Sequence, residues 1–118
     1  MLESHDLKSC SAAIANFVQE VQNSGLDAEQ IIDALLTPME IEAIFQRLAI
    51  LDALARGVSQ RDISESLGVG IATVTRGSRT LQNHAGVLKL LFPRKAFENM
   101  QLSKNKSQRG TARKLKKD

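Results

Sequence analysis

The sequence predicts an all-helical protein, and three observations support this fold class. Apolar residues recur at intervals of three and four over several stretches, which is the period of an amphipathic α-helix. No stretch alternates apolar and polar residues as a half-buried strand would. The clearest helix-start signal is Thr37-Pro38-Met39-Glu40. Because the chain has 118 residues, one domain and a tail are expected.

Two helices are predicted before that signal. The first covers residues 1–23, carries an apolar stripe at helical spacing and ends at Gly25. Asp27 then provides the N-cap of a short second helix that runs through Leu36.

A long third helix begins at the start signal. Thr37 is its N-cap, Pro38 takes the first helical position, and Glu40 completes a capping box. Gly57 stops the helix. Its apolar stripe is about four turns long and consists of Ile41, Ile44, Phe45, Leu48, Leu51 and Ala55.

Residues 59–82 predict a helix-turn-helix, a motif whose second helix can enter the major groove of DNA. Ser59 caps a first helix, and Gly68 stands at the corner, where a positive φ is expected. Val74 anchors a second helix that begins at about Ile71. The alternative is an ordinary helical hairpin with a glycine turn. Polar Ser64 and small Gly77 occupy positions that are usually apolar in the motif: each departs from the pattern.

The charge is divided unevenly along the chain. Residues 1–93 hold seven Lys or Arg and eleven Asp or Glu, whereas residues 94–118 hold nine and two. An apolar segment ends at Pro93, and we expect a helical domain over residues 1–102 and a disordered basic tail over residues 103–118. The tail can attract nucleic-acid phosphates without reading sequence, or it can serve as a solubilising end.

Several classes of function find no support in the residues. Cys10 is the single cysteine, so no disulfide can form within the chain, and a cytoplasmic location is expected. We find no secretory signal and no apolar run that could span a membrane. His5 and His84 stand alone, so neither indicates a metal site. No nucleophile-and-base set indicates an enzyme.

The stretch from Leu35 to Leu81 resembles the tryptophan repressor family. The run GIATVTRGS at Gly70–Ser78 is close to that family's signature. The run LLTP at Leu35–Pro38 also matches the family in residue type and in spacing. The resemblance covers roughly residues 30–92, which include the helix-turn-helix and the long helix before it.

The resemblance implies an intertwined, all-α homodimer that acts as a DNA-binding transcriptional repressor. L-tryptophan would be its corepressor, with no other cofactor, and its targets would be genes of tryptophan biosynthesis or uptake. Two arginines sandwich the indole in the family, and they match Arg47 and Arg76. The remaining ligand contacts match the hydroxyls of Thr80 and of Thr37 of the partner subunit, the pocket residue Thr73, and the carbonyls of Ala34 and Leu36.

The candidate DNA contacts lie in the helix-turn-helix and suit a palindromic duplex operator. Ile71 and Ala72 can touch thymine methyl groups, and Arg61 and Arg79 can reach guanine or phosphate. The full set of candidates is Gln60, Arg61, Gly70, Ile71, Ala72, Thr73, Thr75 and Arg79.

Other interpretations remain open. From the residues alone, Arg47 can be a solvated helix residue, Thr37 a cap only, and Thr80 a surface residue. The chain can also be a repressor of the same fold with a different ligand or none. A third hypothesis is a small adaptor that binds RNA or protein.

Overall fold

A computed structural model describes residues 6–97. Within that range the chain forms six complete α-helices, is also helical at residues 95–97 and has no strand, which confirms the predicted all-helical class. The helices are α1 (Leu7–Ser24), α2 (Ala28–Leu35), α3 (Pro38–Ala55), α4 (Gln60–Leu67), α5 (Ile71–Asn83) and α6 (Ala85–Leu91). The predictions for the basic tail at 103–118 and for His5 lie outside the described residues.

The chain divides into two units, of which the first spans residues 1–41 and contains α1, α2 and the first turn of α3. Local polar groups set its helix ends. Asp6 accepts a hydrogen bond from the Ser9 N–H at 2.8 Å, and this N–H, together with the Ser9 side chain, lowers the pKa of the Asp6 carboxyl. Gly25 ends α1 at a φ of 78°, as its sequence position predicted.

The capping box at the start of α3 is present in both directions. The Thr37 N–H donates to Glu40 Oε1 at 2.8 Å, and the Glu40 N–H donates to Thr37 Oγ1 at 3.2 Å. Each bond satisfies a donor that the helix itself leaves unpaired, so the predicted start of the long helix is confirmed.

The second unit spans residues 42–118 and holds the buried core among its described residues. Ile50, Ala53, Ile63 and Val74 form the centre, and Leu54, Leu67 and Val69 pack against them. Val74 is fully buried, as predicted for the anchor of the second helix. Ile50 and Ala53 do not belong to the predicted stripe of α3. The contact face of α3 is therefore offset from the one that the apolar spacing suggested.

Two glycine turns separate α3, α4 and α5. At the end of α3, the Gly57 and Val58 N–H groups donate to the Leu54 and Ala53 carbonyls, with Gly57 at a φ of 88°. Ser59 follows at once and caps α4 through the Asp62 N–H at 3.1 Å. Gly68 then turns the chain at a φ of 69°. The second helix, α5, begins at Ile71 as expected and ends at Asn83, one residue beyond the range of 59–82 expected for the motif.

The chain after α6 is attached to α3 through a buried carboxylate. Asp52 is completely buried and accepts hydrogen bonds from Arg56 Nε at 2.7 Å and from the Arg94 N–H at 2.6 Å. Phe97 stacks in a tilted arrangement against Phe45 and Phe92, with ring centroids 6.3 and 6.1 Å apart. The segment that begins at Pro93 is therefore held against the long helix.

Two further findings concern the described part of the chain. No helix in it combines the length and apolar character that a bilayer crossing requires. No group of three or more His, Cys, Asp or Glu side chains between residues 6 and 97 could hold a metal ion.

Candidate ligand pocket and nucleic-acid interface

A pocket of about 380 Å³ opens between α3 and α5, both within the second unit. Its volume falls within the range of roughly 300–1,000 Å³ that small-molecule sites occupy. The residues that line it are Ala43, Gln46, Arg47, Ile50, Leu51, Thr73, Arg76, Gly77 and Thr80.

The two walls of the pocket follow from helical periodicity. The lining residues of α3 have the spacing i, i+3, i+4, i+7 and i+8, and those of α5 have the spacing i, i+3, i+4 and i+7. Each set therefore occupies one face of its helix. The floor is apolar, with Ile50 and Leu51 buried, whereas the rim carries polar and charged groups.

Two guanidinium groups face the pocket, one from each wall. Arg47 and Arg76 are both exposed, and neither forms an ion pair within residues 6–97. A guanidinium can stack on an aromatic face and can also bind a carboxylate through two parallel hydrogen bonds. This arrangement suits a flat, aromatic ligand that carries a carboxylate.

Gly77 sets how closely the two walls approach each other. A Cβ atom built on Gly77 would lie 2.7 Å from Ile50 Cγ2, closer than real Cβ contacts come. The side-chain hydrogen of glycine thus permits α5 to pack on α3 at this point. The absence of an apolar side chain at this helix-turn-helix position now has a steric explanation.

Four of the seven predicted ligand contacts line this pocket: Arg47, Thr73, Arg76 and Thr80. The other three, Ala34, Leu36 and Thr37, belong to the first unit, where they surround the link from α2 to α3. Gln46 and Ala43 also line the pocket but were not predicted. The position of Ala43 four residues before Arg47 is a signal that could have identified it, whereas the residue type and position of Gln46 carry no such signal.

Most of the predicted DNA contacts lie near the start of the two helices of the motif, and Arg79 lies farther along α5. Arg61, Gly70, Ile71, Ala72 and Arg79 are exposed, and Ile71 keeps half of its surface accessible. Gly70 caps α5 without a side-chain hydrogen bond, so backbone donors at this end can bind an anion. The surface thus combines cations, short apolar groups and backbone N–H groups.

Two of the predicted DNA contacts bind each other. The Thr75 hydroxyl donates to Gln60 Oε1 at 2.8 Å, and it also lies 3.0 Å from the Ile71 carbonyl oxygen. This bond links the start of α4 to the second turn of α5. Thr73, in contrast, is half-buried and lines the ligand pocket.

The other departure from the motif's apolar pattern, the polar residue Ser64, has a structural explanation as well. Its hydroxyl donates to the Val69 carbonyl at 2.6 Å, and its own carbonyl accepts from the Val69 N–H at 3.1 Å. The polar side chain therefore stabilises the turn between α4 and α5 through a hydrogen bond that an apolar residue could not form.

Comparison with known proteins identifies the family of this fold and motif. The family model described as Trp repressor protein matches residues 10–96, which is most of the chain. The chain belongs to the Trp repressor family. Members of the Trp repressor family are DNA-binding regulators of transcription, so the protein is a transcriptional regulator and not an enzyme.

Individual relatives agree with this assignment. A Trp operon repressor homolog from Vibrio parahaemolyticus is 42% identical over 83 residues, covering 64% of this chain and 81% of the relative. Another, from Aliivibrio salmonicida, is 41% identical over 80 residues, covering 67% of this chain and 69% of the relative. A third, from Vibrio cholerae, is 45% identical over 71 residues, covering 55% and 69%. No solved structure gives a significant match.

Proposed function

We propose that this Trp repressor family member is a tryptophan-dependent repressor that binds operator DNA as a homodimer. The observation that carries the proposal is the pocket between α3 and α5, where each wall carries a guanidinium that forms no ion pair within residues 6–97. Arg47 and Arg76 would enclose the indole ring of L-tryptophan, and Arg76 would also pair with its carboxylate. The regulated genes would be those of tryptophan biosynthesis or uptake.

The remaining polar contacts would hold the amino-acid end of the ligand. Thr80 offers a hydroxyl at the rim of the pocket. Carbonyl groups at the end of a helix lack intrahelical partners and attract a cation, and Ala34 and Leu36 lie at the end of α2. In the homodimer, Thr37 of the partner subunit would contact the carboxylate.

Ligand binding would control DNA binding through the position of α5. The same helix supplies Arg76 to the pocket and exposes Ile71, Ala72 and Arg79 on the outer surface. A ligand shifts an equilibrium only by binding one conformation better than another. Tryptophan between α3 and α5 would favour the arrangement in which two α5 helices fit successive grooves. Helix-turn-helix dimers, the Trp repressor among the established examples, place these helices about 34–36 Å apart on palindromic sites.

Exposed apolar surface supports a dimer. α1 and α2 contain no buried residue in the single chain, and Leu7 and Ile14 are 85% and 62% exposed. In α6, Leu90 is 82% exposed. A second copy of the chain that covered these side chains would gain the hydrophobic stabilisation that the single chain lacks.

The basic tail at 103–118 would add sequence-independent attraction to phosphate. It holds seven Lys or Arg and one Asp. Cations that contact phosphate release counterions, so the tail would raise affinity for every duplex and steepen its dependence on salt.

Equilibrium dialysis with L-tryptophan tests the ligand. The chain contains no Trp or Tyr, so fluorescence of the ligand can be measured directly. We expect saturable binding that Arg47→Ala weakens at least tenfold, the loss of about 1.4 kcal/mol that a charged interaction supplies. Lys89→Ala, a charge removal outside the pocket, is the matched control and should bind as the parent does.

Selection from a random pool of DNA duplexes tests the regulation. A palindromic sequence should be enriched in the presence of tryptophan and lost in its absence. Enrichment that tryptophan does not change would mean that the protein is a repressor of this fold without this corepressor. No saturable binding in dialysis would overturn the tryptophan proposal.

A further inference from the structure

Gln46 is a pocket residue without an assigned role. It lies directly before Arg47 on the wall formed by α3, one turn after the small residue Ala43. Among the lining residues it is the single carboxamide, and its Oε1 is the single side-chain carbonyl. The other polar side chains of the pocket are two guanidinium groups and two hydroxyls.

The amide of Gln46 is available to a ligand. Within residues 6–97 its side chain forms no hydrogen bond to protein, and the residue is exposed. Gln60 provides the contrast, because its amide oxygen already accepts from the Thr75 hydroxyl. A glutamine that packs into the protein in this way stabilises the fold, whereas Gln46 presents its amide to the pocket.

One polar group of the proposed ligand, a hydrogen-bond donor, has not yet been assigned an acceptor in the pocket. A guanidinium is only a donor, so Arg47 and Arg76 can bind a carboxylate but cannot accept a hydrogen bond. Tryptophan has a second donor besides its ammonium, the indole N–H, which lies at the flat end of the molecule. Arg47 would stack on the ring, and Gln46 lines the same wall of the pocket, so its Oε1 is an acceptor within the site.

We propose that Gln46 determines ligand specificity by accepting a hydrogen bond from the indole N–H through its Oε1. The proposal rests on the proposed function, since it assigns a contact within the tryptophan pocket. Gln46 thereby distinguishes an indole from aromatic rings of similar size that have no N–H donor. The arginines supply affinity for any aromatic amino acid, and Gln46 supplies the selection among them.

Benzothienylalanine is the probe for this contact, because sulfur replaces the indole N–H and no bulk is added to that position. Dialysis should show that the parent protein binds L-tryptophan about 3- to 10-fold more tightly than benzothienylalanine, the value of one neutral hydrogen bond. In Gln46→Met, affinity for tryptophan should fall to that for the analogue, while affinity for the analogue stays unchanged. Gln46→Leu should behave in the same way.

Gln82→Met is the matched control, because Gln82 is an exposed glutamine of α5 outside the pocket. It should keep the preference for tryptophan. Equal binding of both ligands to the parent, or an unchanged preference in both Gln46 variants, would overturn the role of Gln46 and leave the tryptophan pocket standing. Failure of the parent to bind either ligand would overturn the proposed function itself, and the role of Gln46 with it.

Discussion

Arg47 lies on α3 and Arg56 directly follows the end of that helix, but the two arginines differ in what they contact. The Arg56 guanidinium donates to the buried Asp52 carboxylate at 2.7 Å and to the Arg94 carbonyl at 2.7 Å. Arg47 reaches the pocket between α3 and α5 and forms no ion pair within residues 6–97. Arg56 stabilises the fold, whereas Arg47 is available for the ligand contact proposed above.

The difference shows how to separate structural from functional polar groups in this molecule. Arg56, Ser64 and Thr75 each bond to a group in the chain, and each joins two segments. The side chains at the rim of the pocket are exposed and face a concave surface. Concave sites with a few convergent polar groups are where small ligands bind. The predictions below test this separation.

The largest expected effect is the loss of Asp52. Asp52→Ala would leave the Arg94 N–H and the Arg56 guanidinium without their shared acceptor. We expect the free energy of unfolding to fall by about 2–3 kcal/mol. The figure is below that for a fully buried pair because the Arg56 side chain is 23% exposed.

Urea denaturation followed by circular dichroism measures this change. Asp33→Ala, which removes an exposed carboxylate of α2, should alter stability by less than about 0.5 kcal/mol. Equal effects of the two substitutions would contradict a structural role for the bonds that Asp52 makes.

The next effect concerns ligand binding. Arg47→Lys keeps the charge but removes the planar group that stacks on an aromatic ring, so affinity for L-tryptophan should fall about tenfold with stability unchanged. Arg56→Lys should lower stability and leave affinity for L-tryptophan unchanged, because the Nε donor to Asp52 is lost while the pocket is intact. Dialysis measures the affinity of both variants for tryptophan, and urea denaturation measures their stability. If Arg47→Lys binds tryptophan as the parent does, stacking is not the basis of recognition.

The sequence predicted most of the fold because the helix ends depend on local chemistry. Thr37, Ser59 and Gly68 were each identified from the residue type and its spacing, and each performs the predicted local role. The contact face of α3 was harder to predict. Apolar residues surround that helix, and which of them is buried depends on its neighbours rather than on its own period.

The site was predicted less completely than the fold. Arg47 on α3 and Arg56 directly after α3 have the same residue type, and only the family resemblance distinguished them. Gln46 was missed because a glutamine on a helix surface carries no signal of its own. The hydrogen bond between Gln60 and Thr75 could not be predicted either, because it joins two helices through side chains that are both suited to contact DNA.

A smaller effect is expected at Gly77. In Gly77→Ala, the new Cβ would meet Ile50 Cγ2, and the cost of overpacking exceeds the gain in helix propensity, for a net loss of about 1 kcal/mol. Gly86→Ala in α6 is the matched control, because nothing lies within 4 Å of its Cβ position. That variant should gain about 0.5–1 kcal/mol. Thermal denaturation distinguishes the two, and stabilisation by both would mean that Gly77 is not needed for the approach of the helices.

The smallest effect concerns Thr75, and it tests whether a residue at the DNA-binding surface acts through the fold. Thr75→Val keeps the shape but removes the donor to Gln60, so stability should fall by about 0.5–1 kcal/mol, whereas Thr75→Ser should lose less. Urea denaturation measures both variants. Since Gln60 is then no longer held against α5, weaker DNA binding by Thr75→Val alone would indicate that Thr75 positions Gln60. Loss of DNA affinity in Thr75→Ser alone would show that the threonine methyl group, and not the hydroxyl, is what the interface requires.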